Sequence, residues 1–342
     1  MLKPKLIGGV FGFDISSNGT KPPFLNRECS YYINARSAIS DVINVLRPMT
    51  VWVPSYLCLT VLNTPRIANV SVRFFPVNKY LQIEENGWIS EIKEGDVAIV
   101  VDYFGFKISE WIYGAIRERG AWVIEDASQA LLSAHVGKYS DFIVYSPRKF
   151  VGVPDGGILW SKIPCPLSKD RITPPSRWLI ATFGACLLRR DFDKSPSGGD
   201  RKWFELFKEM ELEMPVGNYD VSSLSIAILE TAIDWESVSK KRRENYLILL
   251  DDLREYALYK DLPDDVVPLG FPISVKNRDE LRQTLFENNI YPPIHWELSN
   301  SVPEQFAESH QLSKEIMTLI CDHRYDEKDM KRIIDIVRKG SL

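Results

Sequence analysis

Lys149 closes the run Asp141-Phe142-Ile143-Val144-Tyr145-Ser146-Pro147-Arg148-Lys149, and Asp126 and Gln129 follow the apolar run Val123-Ile124-Glu125 upstream. Pro154-Asp155-Gly156-Gly157 comes soon after. A lysine amine condenses with an aldehyde, and a carboxylate facing a ring nitrogen keeps it protonated, so that the ring draws electrons from a carbanion. A lysine, an acid and a serine at the ends of two apolar strands form the set needed to hold pyridoxal phosphate. Lys149 is the candidate Schiff-base residue and proton carrier, and Asp126 the partner of the ring nitrogen. Gln129 reaches the ring hydroxyl if a helix begins after Asp126 and places it one turn on. Ser146 either hydrogen-bonds the phosphate or caps the turn that follows it.

These residues need rigid elements beneath them. The stretch 121–125 is a short apolar run of the kind buried in parallel sheets, and in open α/β sheets ligands gather at the carboxyl ends of strands. Upstream, a helix over 37–46 precedes strands at 51–53, 72–75 and 97–101, and a helix over 109–119 leads into the Asp126 strand. Such alternation implies right-handed crossovers and a mostly parallel sheet. A long helix over 236–256, with Tyr246, Leu247, Leu249, Leu250 and Leu253 apolar against charged Lys240, Lys241, Arg242 and Arg243, links this to a smaller C-terminal part. Beyond it lie a strand at 271–275, a helix over 278–288, and an edge strand at 290–296 interrupted by Pro292 and Pro293. The expected division is 1–232, a large cofactor-binding domain with an N-terminal arm, and 233–342, a smaller domain. The run Ser-Pro-Ser-Gly-Gly at 195–199 reads as a mobile loop.

The stretch from Asp126 to Gly157 resembles the DegT/DnrJ/EryC1/StrS sugar aminotransferases, whose pattern is Asp-x-x-Gln, Ser, the Schiff-base Lys and an acidic-Gly-Gly turn. As in that pattern, Gly156 stands seven residues after Lys149. The combination Ser-Pro-Arg-Lys with Pro-Asp-Gly-Gly resembles a divergent branch. Asn34-Ala35-Arg36-Ser37-Ala38 resembles the family's Gly-Thr-Ala-Ala-Leu helix start, which wraps the cofactor phosphate. Here Ser37 replaces the hydroxyl and Arg36 adds charge to the helix N-terminus. Val53-Pro54-Ser55-Tyr56 and Val101-Asp102-Tyr103-Phe104-Gly105 resemble its strand-end loops. Gly217-Asn218-Tyr219 resembles its Gly-x-Asn segment, which implies that Asn218 reaches the partner subunit's phosphate. Besides this helix start, which lacks the usual Gly-Thr, the sequence departs in three places: Ser146 and Lys149 are three residues apart where the family has five, Asp220 stands where Arg is common, and the ring-stacking aromatic position falls at Cys58, two residues after Tyr56.

The resemblance implies an aspartate-aminotransferase-like α/β fold and a homodimer with shared sites. It also implies transfer of an amino group from glutamate to a keto sugar nucleotide. Tyr103, Arg148 and His295 are candidate substrate contacts. Arg148 is a second positive charge beside the Lys149 amine, a binder of an anionic group, or a solvent-facing side chain. His295 contacts substrate or is structural beside Trp296. Two alternatives stay open: a catalytically silent relative acting as a binding or assembly protein, and a pyridoxal phosphate enzyme of another reaction type.

Composition agrees with a large enzyme. The 342 residues are 45% hydrophobic and carry a formal net charge of -4, which disfavours nucleic acid or an anionic membrane as partner. Five scattered cysteines, Cys29, Cys58, Cys165, Cys186 and Cys321, suggest reduced cytoplasmic thiols, and the four histidines show no metal-ligand spacing. The apolar run 178–188 is too short to span a bilayer and reads as a buried or dimer-facing helix.

Overall fold

The computed structural model describes residues 5–194, 201–298 and 301–340. The expected mobile loop at 195–199 lies outside the described residues.

In chain order the first half comprises β1 (Ile7–Gly8), β2 (Ser30–Tyr32), α1 (Ala35–Leu46), β3 (Thr50–Pro54), α2 (Leu59–Ile67), β4 (Ser71–Phe75), α3 (Trp88–Glu91), β5 (Val97–Val101), α4 (Glu110–Glu118), β6 (Trp122–Asp126), β7 (Phe142–Tyr145) and β8 (Gly157–Ser161). The second half comprises α5 (Ser176–Lys194), α6 (Lys202–Leu212), α7 (Ser223–Thr231), α8 (Trp235–Leu253), β9 (Phe271–Ser274), α9 (Arg278–Glu287), β10 (Ile290–Tyr291), α10 (Ala307–Glu315), β11 (Ile316–Leu319) and α11 (Glu327–Gly340).

Seven strands form one sheet in the order β2-β8-β7-β6-β5-β3-β4. The β3–β4, β3–β5, β5–β6 and β6–β7 pairs are parallel, while β7–β8 and β8–β2 are antiparallel, so β8 alone runs against the rest. Alternation along the strands buries both faces. Val51, Val53, Val97, Ile99 and Ile124 pack on one side with Ile39 and Val42 of α1. Trp52, Ala98, Val100 and Val123 pack on the other with Ile112 and Ile116 of α4. A sheet covered on both faces needs apolar residues at successive positions, which is why these strands read as unbroken apolar runs.

That second core continues into the C-terminal half through Tyr246, Leu249 and Leu253 of α8 to Met330, Ile333, Ile334 and Val337 of α11. The spacing of the last four is one face of a helix. The N-terminal arm joins this half, β1 pairing parallel with β10.

Three expectations are corrected. No helix follows Asp126: its carboxylate takes the Ser128 N–H at 3.0 Å, and buried Glu125 takes the Gly137 N–H at 3.0 Å, so the chain folds back in turns. The strand expected over 290–296 ends at Tyr291, because Pro292 and Pro293 have no N–H to donate. Arg242, placed on a charged outer face, is fully buried.

Candidate functional site

Because β3, β5, β6 and β7 are parallel, their carboxyl ends face the same edge, and the segments leaving them carry Tyr56, Tyr103, Asp126 and Lys149. Asp126 sits in register with Val144, two residues before Ser146. The chain then enters a single tight turn, Pro147–Lys149, with proline at its first position, where no N–H is needed. The Ser146 carbonyl receives the Lys149 N–H at 3.1 Å, and Phe150 and Val151 behind the lysine are fully buried. Lys149 is thus held on a short, well-anchored turn, half-buried itself.

The anchor includes a residue the sequence did not reveal as functional. Arg242 of α8 donates to the Phe150 carbonyl at 2.9 Å, and to the Leu269 and Pro268 carbonyls at 2.9 and 3.2 Å. Its guanidinium also lies 4.5 Å from the Phe150 ring centroid. It therefore ties the lysine turn to the segment before β9.

A cavity of about 370 Å³ opens beside this turn, lined by Lys149, Arg148 and His295 together with Glu211 and mostly apolar side chains from the arm, α5, α6 and β11. His295 Nδ1 lies 2.9 Å from Thr318 Oγ1, and burial, then the Lys149 charge, pushes its pKa down to about 3. It is a neutral imidazole at neutral pH. Arg148 forms a two-pronged pair with Glu211 of α6.

The other sequence candidates do not line this cavity. Gln129 is buried, and its Oε1 is fixed by the Phe104 N–H at 2.7 Å, leaving Nε2 buried with no partner. The Phe104 ring meets the His295 ring edge-on at 5.8 Å, which connects Gln129 to the cavity wall. Tyr103 is buried, its hydroxyl donating to the Tyr56 carbonyl, and Tyr56 in turn is bonded to the backbone of His295 and Trp296. Both hydroxyl protons are committed to backbone carbonyls. Ser146 is buried and does not cap its turn.

At the start of α1, Asn34 caps the helix by accepting the Ser37 N–H at 3.0 Å, and the Ser37 hydroxyl both donates to Asn34 Oδ1 and accepts the Gly217 N–H at 3.2 Å. The N–H groups of Ala35 and Arg36 have no acceptor within the helix. The Gly156–Gly157 turn presses on this start: the Gly156 N–H donates to the Ile33 carbonyl at 2.8 Å, and a Cβ on Gly157 would lie 2.1 Å from the Asn34 carbonyl carbon. Asp155 faces away, accepting from the N–H and hydroxyl of Ser222 and from the Ser225 hydroxyl at the start of α7. Asn218 donates to the Asp170 carbonyl of its own chain at 2.6 Å.

Behind the strand edge lie two further acids. Asp102 is fully buried with Glu125 beside it and His135 Nε2 at 3.6 Å. Burial pushes Asp102 up to about 7, opposed by Glu125 and reinforced by the Asp126 charge, and burial likewise raises Glu125 well above the usual carboxylate range. The pair holds a proton near neutrality.

The groups on this edge fit pyridoxal phosphate: among the described residues an amine without an ion pair, a buried carboxylate, and in Gln129 Nε2 an unpartnered donor suited to a ring oxygen. Among the described residues no cluster of metal-ligating side chains occurs, and no helix is long and apolar enough to cross a membrane.

No protein-family model matches the chain, and no curated protein matches it either. Solved structures do. A DegT DnrJ EryC1 StrS aminotransferase from Brucella abortus aligns with a TM-score of 0.65 at 18% identity, over 92% of this chain and 86% of that one. PseC of Helicobacter pylori, an aminotransferase involved in the biosynthesis of pseudoaminic acid, aligns with a TM-score of 0.67 at 15% identity, over 97% and 99% of the two chains. DesI, solved with its TDP-sugar product, gives 0.65 at 14% identity over 92% and 81%. At these identities and coverages, the seven-stranded sheet with its flanking helices and C-terminal half is the fold of the sugar aminotransferases.

Proposed function

We propose that this chain is a pyridoxal phosphate-dependent aminotransferase that moves an amino group from glutamate to a keto sugar nucleotide in amino-sugar biosynthesis. The observation that carries this is the placing of Lys149, lining a cavity on a short turn at the carboxyl edge of the sheet, on the chain that leaves the strand paired with the one ending in Asp126. DesI, with its TDP-sugar product, and PseC support the substrate class.

The cofactor, when bound, would supply an electron sink for the pair left at the substrate carbon. Lys149 would hold it through its amine and, once released, carry the proton between substrate atoms. Asp126 would keep the ring nitrogen protonated, and Gln129 Nε2 would donate to the ring hydroxyl oxygen. Ala35 and Arg36 would meet the phosphate through backbone N–H groups and the Arg36 charge, with Ser37 shaping the helix start and Ser146 closing the strand end. Neutral His295 would contact substrate across the cavity from Lys149.

The proposal includes a division near residue 232 into a large and a small domain, a homodimer in which Asn218 approaches the partner's site, and a cytoplasmic location. Ile180, Leu187 and Leu188, exposed on α5, suit a dimer face, and the five free cysteines suit a reducing compartment.

The test is the visible absorption spectrum of the purified protein with pyridoxal phosphate, beside Lys149→Ala. A visible band in the wild type, absent in the variant and bleached by glutamate, is expected. Absence of the band from the wild type would overturn the proposal.

A further inference from the structure

Two arginine–carboxylate pairs line the cavity beside Lys149, and they differ in kind. Arg324 is committed. It donates to Asp322 Oδ1 at 2.9 Å and to the carbonyls of Val10 and Gly9 at 2.8 and 3.2 Å, with Phe11 stacked 4.0 Å from it. No fork is left for a ligand. Among the described residues Arg148 has one ion-pair partner, Glu211, reaching across from α6, and the side chains of the two are 22% and 36% exposed. The pair is partly buried yet keeps one side to solvent, so Glu211 can turn outward without leaving its charge bare. It can be exchanged at small cost.

A third charge stands near it. Arg36, half-buried at the start of α1, makes no ion pair among the described residues. Burial and then the Arg148 charge lower its pKa, while Glu211 acts against them.

From this geometry we infer that Glu211 occupies the place of a ligand carboxylate, and that Arg148 binds the carboxylate of the amino-acid donor after Glu211 swings away. The assignment rests on the aminotransferase reading for the identity of the ligand. The forked geometry favours a carboxylate, because the planar guanidinium already meets one through both of its terminal nitrogens. Glu211 thus sets the affinity for the donor by competing for Arg148, and it keeps the fork from being left unpaired beside the Lys149 amine.

Calorimetric titration with glutarate, a dicarboxylate lacking the amine, tests this on protein equilibrated with pyridoxal phosphate whose visible spectrum has been recorded first. Glu211→Gln removes the competitor and is expected to bind glutarate about fivefold more tightly, the equivalent of about 1 kcal/mol of competition relieved. Arg148→Lys keeps the charge and loses the fork, and is expected to bind about tenfold more weakly. The tightening by Glu211→Gln should vanish in the Arg148→Lys background, which a merely structural pair would not produce. Glutarate affinity that is absent, or unmoved by either substitution, overturns the inference. So does a site answering to inorganic phosphate and not to glutarate, which would assign Arg148 to a phosphate. Absence of the visible band with the expected glutarate pattern would remove the aminotransferase reading and leave the carboxylate site standing.

Discussion

Replacing Arg242 by Met should cost about 3 kcal/mol of folding stability and loosen the lysine turn. The side chain is fully buried, and its hydrogen bonds at 2.9, 2.9 and 3.2 Å hold the carbonyls of Phe150, Leu269 and Pro268. Methionine matches much of the volume and offers no donor. Each buried carbonyl left without a partner costs roughly 1–3 kcal/mol, so three would sum to about 3–9 kcal/mol. Against this, the folded state no longer has to desolvate a guanidinium, whose burial lowers the Arg242 pKa. Released from that penalty, which is several kcal/mol per ion, the variant recovers part of the loss. A net cost near the lower bound, about 3 kcal/mol, is expected, roughly a hundredfold in the folding constant. Urea denaturation followed by tryptophan fluorescence measures it, and the visible band formed with pyridoxal phosphate reports the turn independently. The band should weaken under conditions where the variant is still folded, since Phe150 follows Lys149 directly. A loss below about 1 kcal/mol with an unchanged band would refute the assignment of Arg242 as the anchor of the turn.

Two further substitutions probe other supports. Gly157→Ala places a Cβ 2.1 Å from the Asn34 carbonyl carbon and 2.5 Å from the Ala35 N, both backbone atoms that cannot swing aside. The start of α1 must shift, so the variant should lose about 3 kcal/mol or more and bind pyridoxal phosphate weakly, as melting and spectroscopic titration would show; wild-type behaviour would contradict the close approach. Asp102→Asn should flatten the pH dependence of stability. Asp102 is pushed up to about 7 in the fold by burial, whereas an unfolded chain releases that proton at about 3.9. The folded state therefore holds a proton that the unfolded state lacks, and stability falls as pH rises from about 4 towards 7. Wild-type and variant melting temperatures should converge at the acid end and separate as pH rises, with the wild type the lower; parallel curves would exclude the effect.

The sheet was legible because strands buried on both faces have no polar positions: Val97–Val101 is buried at every residue and cannot be mistaken for a surface segment. β2 and β8 were not legible. Ser30–Tyr32 is short and mixed, and β8 begins at Gly157, where two successive glycines read as a turn. Arg242 was misread from its neighbours, since four consecutive basic residues suggest a solvated face. Its spacing carried the opposite signal. It lies four residues after Val238 and four before Tyr246, on the buried stripe of α8. The Asp102–Glu125 pair could not be read at all, because an acid at a strand end is more often capped or solvated, and only the packing of α4 and the His135 turn over it removes the water.

The interval from Ser146 to Lys149 was the main departure from the family's spacing, and the structure shows why a shorter interval still presents the amine. Lys149 is positioned from behind, by buried Phe150 and Val151 and by Arg242 on the Phe150 carbonyl, and from in front only by its N–H on Ser146. Residues between the serine and the lysine can be lost as long as one turn closes, and Pro147 closes it at minimal length. The downstream interval has no such freedom. Gly156 must reach the Ile33 carbonyl and Gly157 must lie against Asn34 and Ala35, so the chain from Lys149 to Gly156 spans a fixed gap between the amine and the start of α1. Of the two intervals, the one that matches the family is the one set by backbone contact at both ends. Deleting or inserting a residue between Phe150 and Pro154 should therefore abolish the visible band formed with pyridoxal phosphate, whereas an insertion between Ser146 and Pro147 should leave it in place; an equal loss of the band in both would refute the argument.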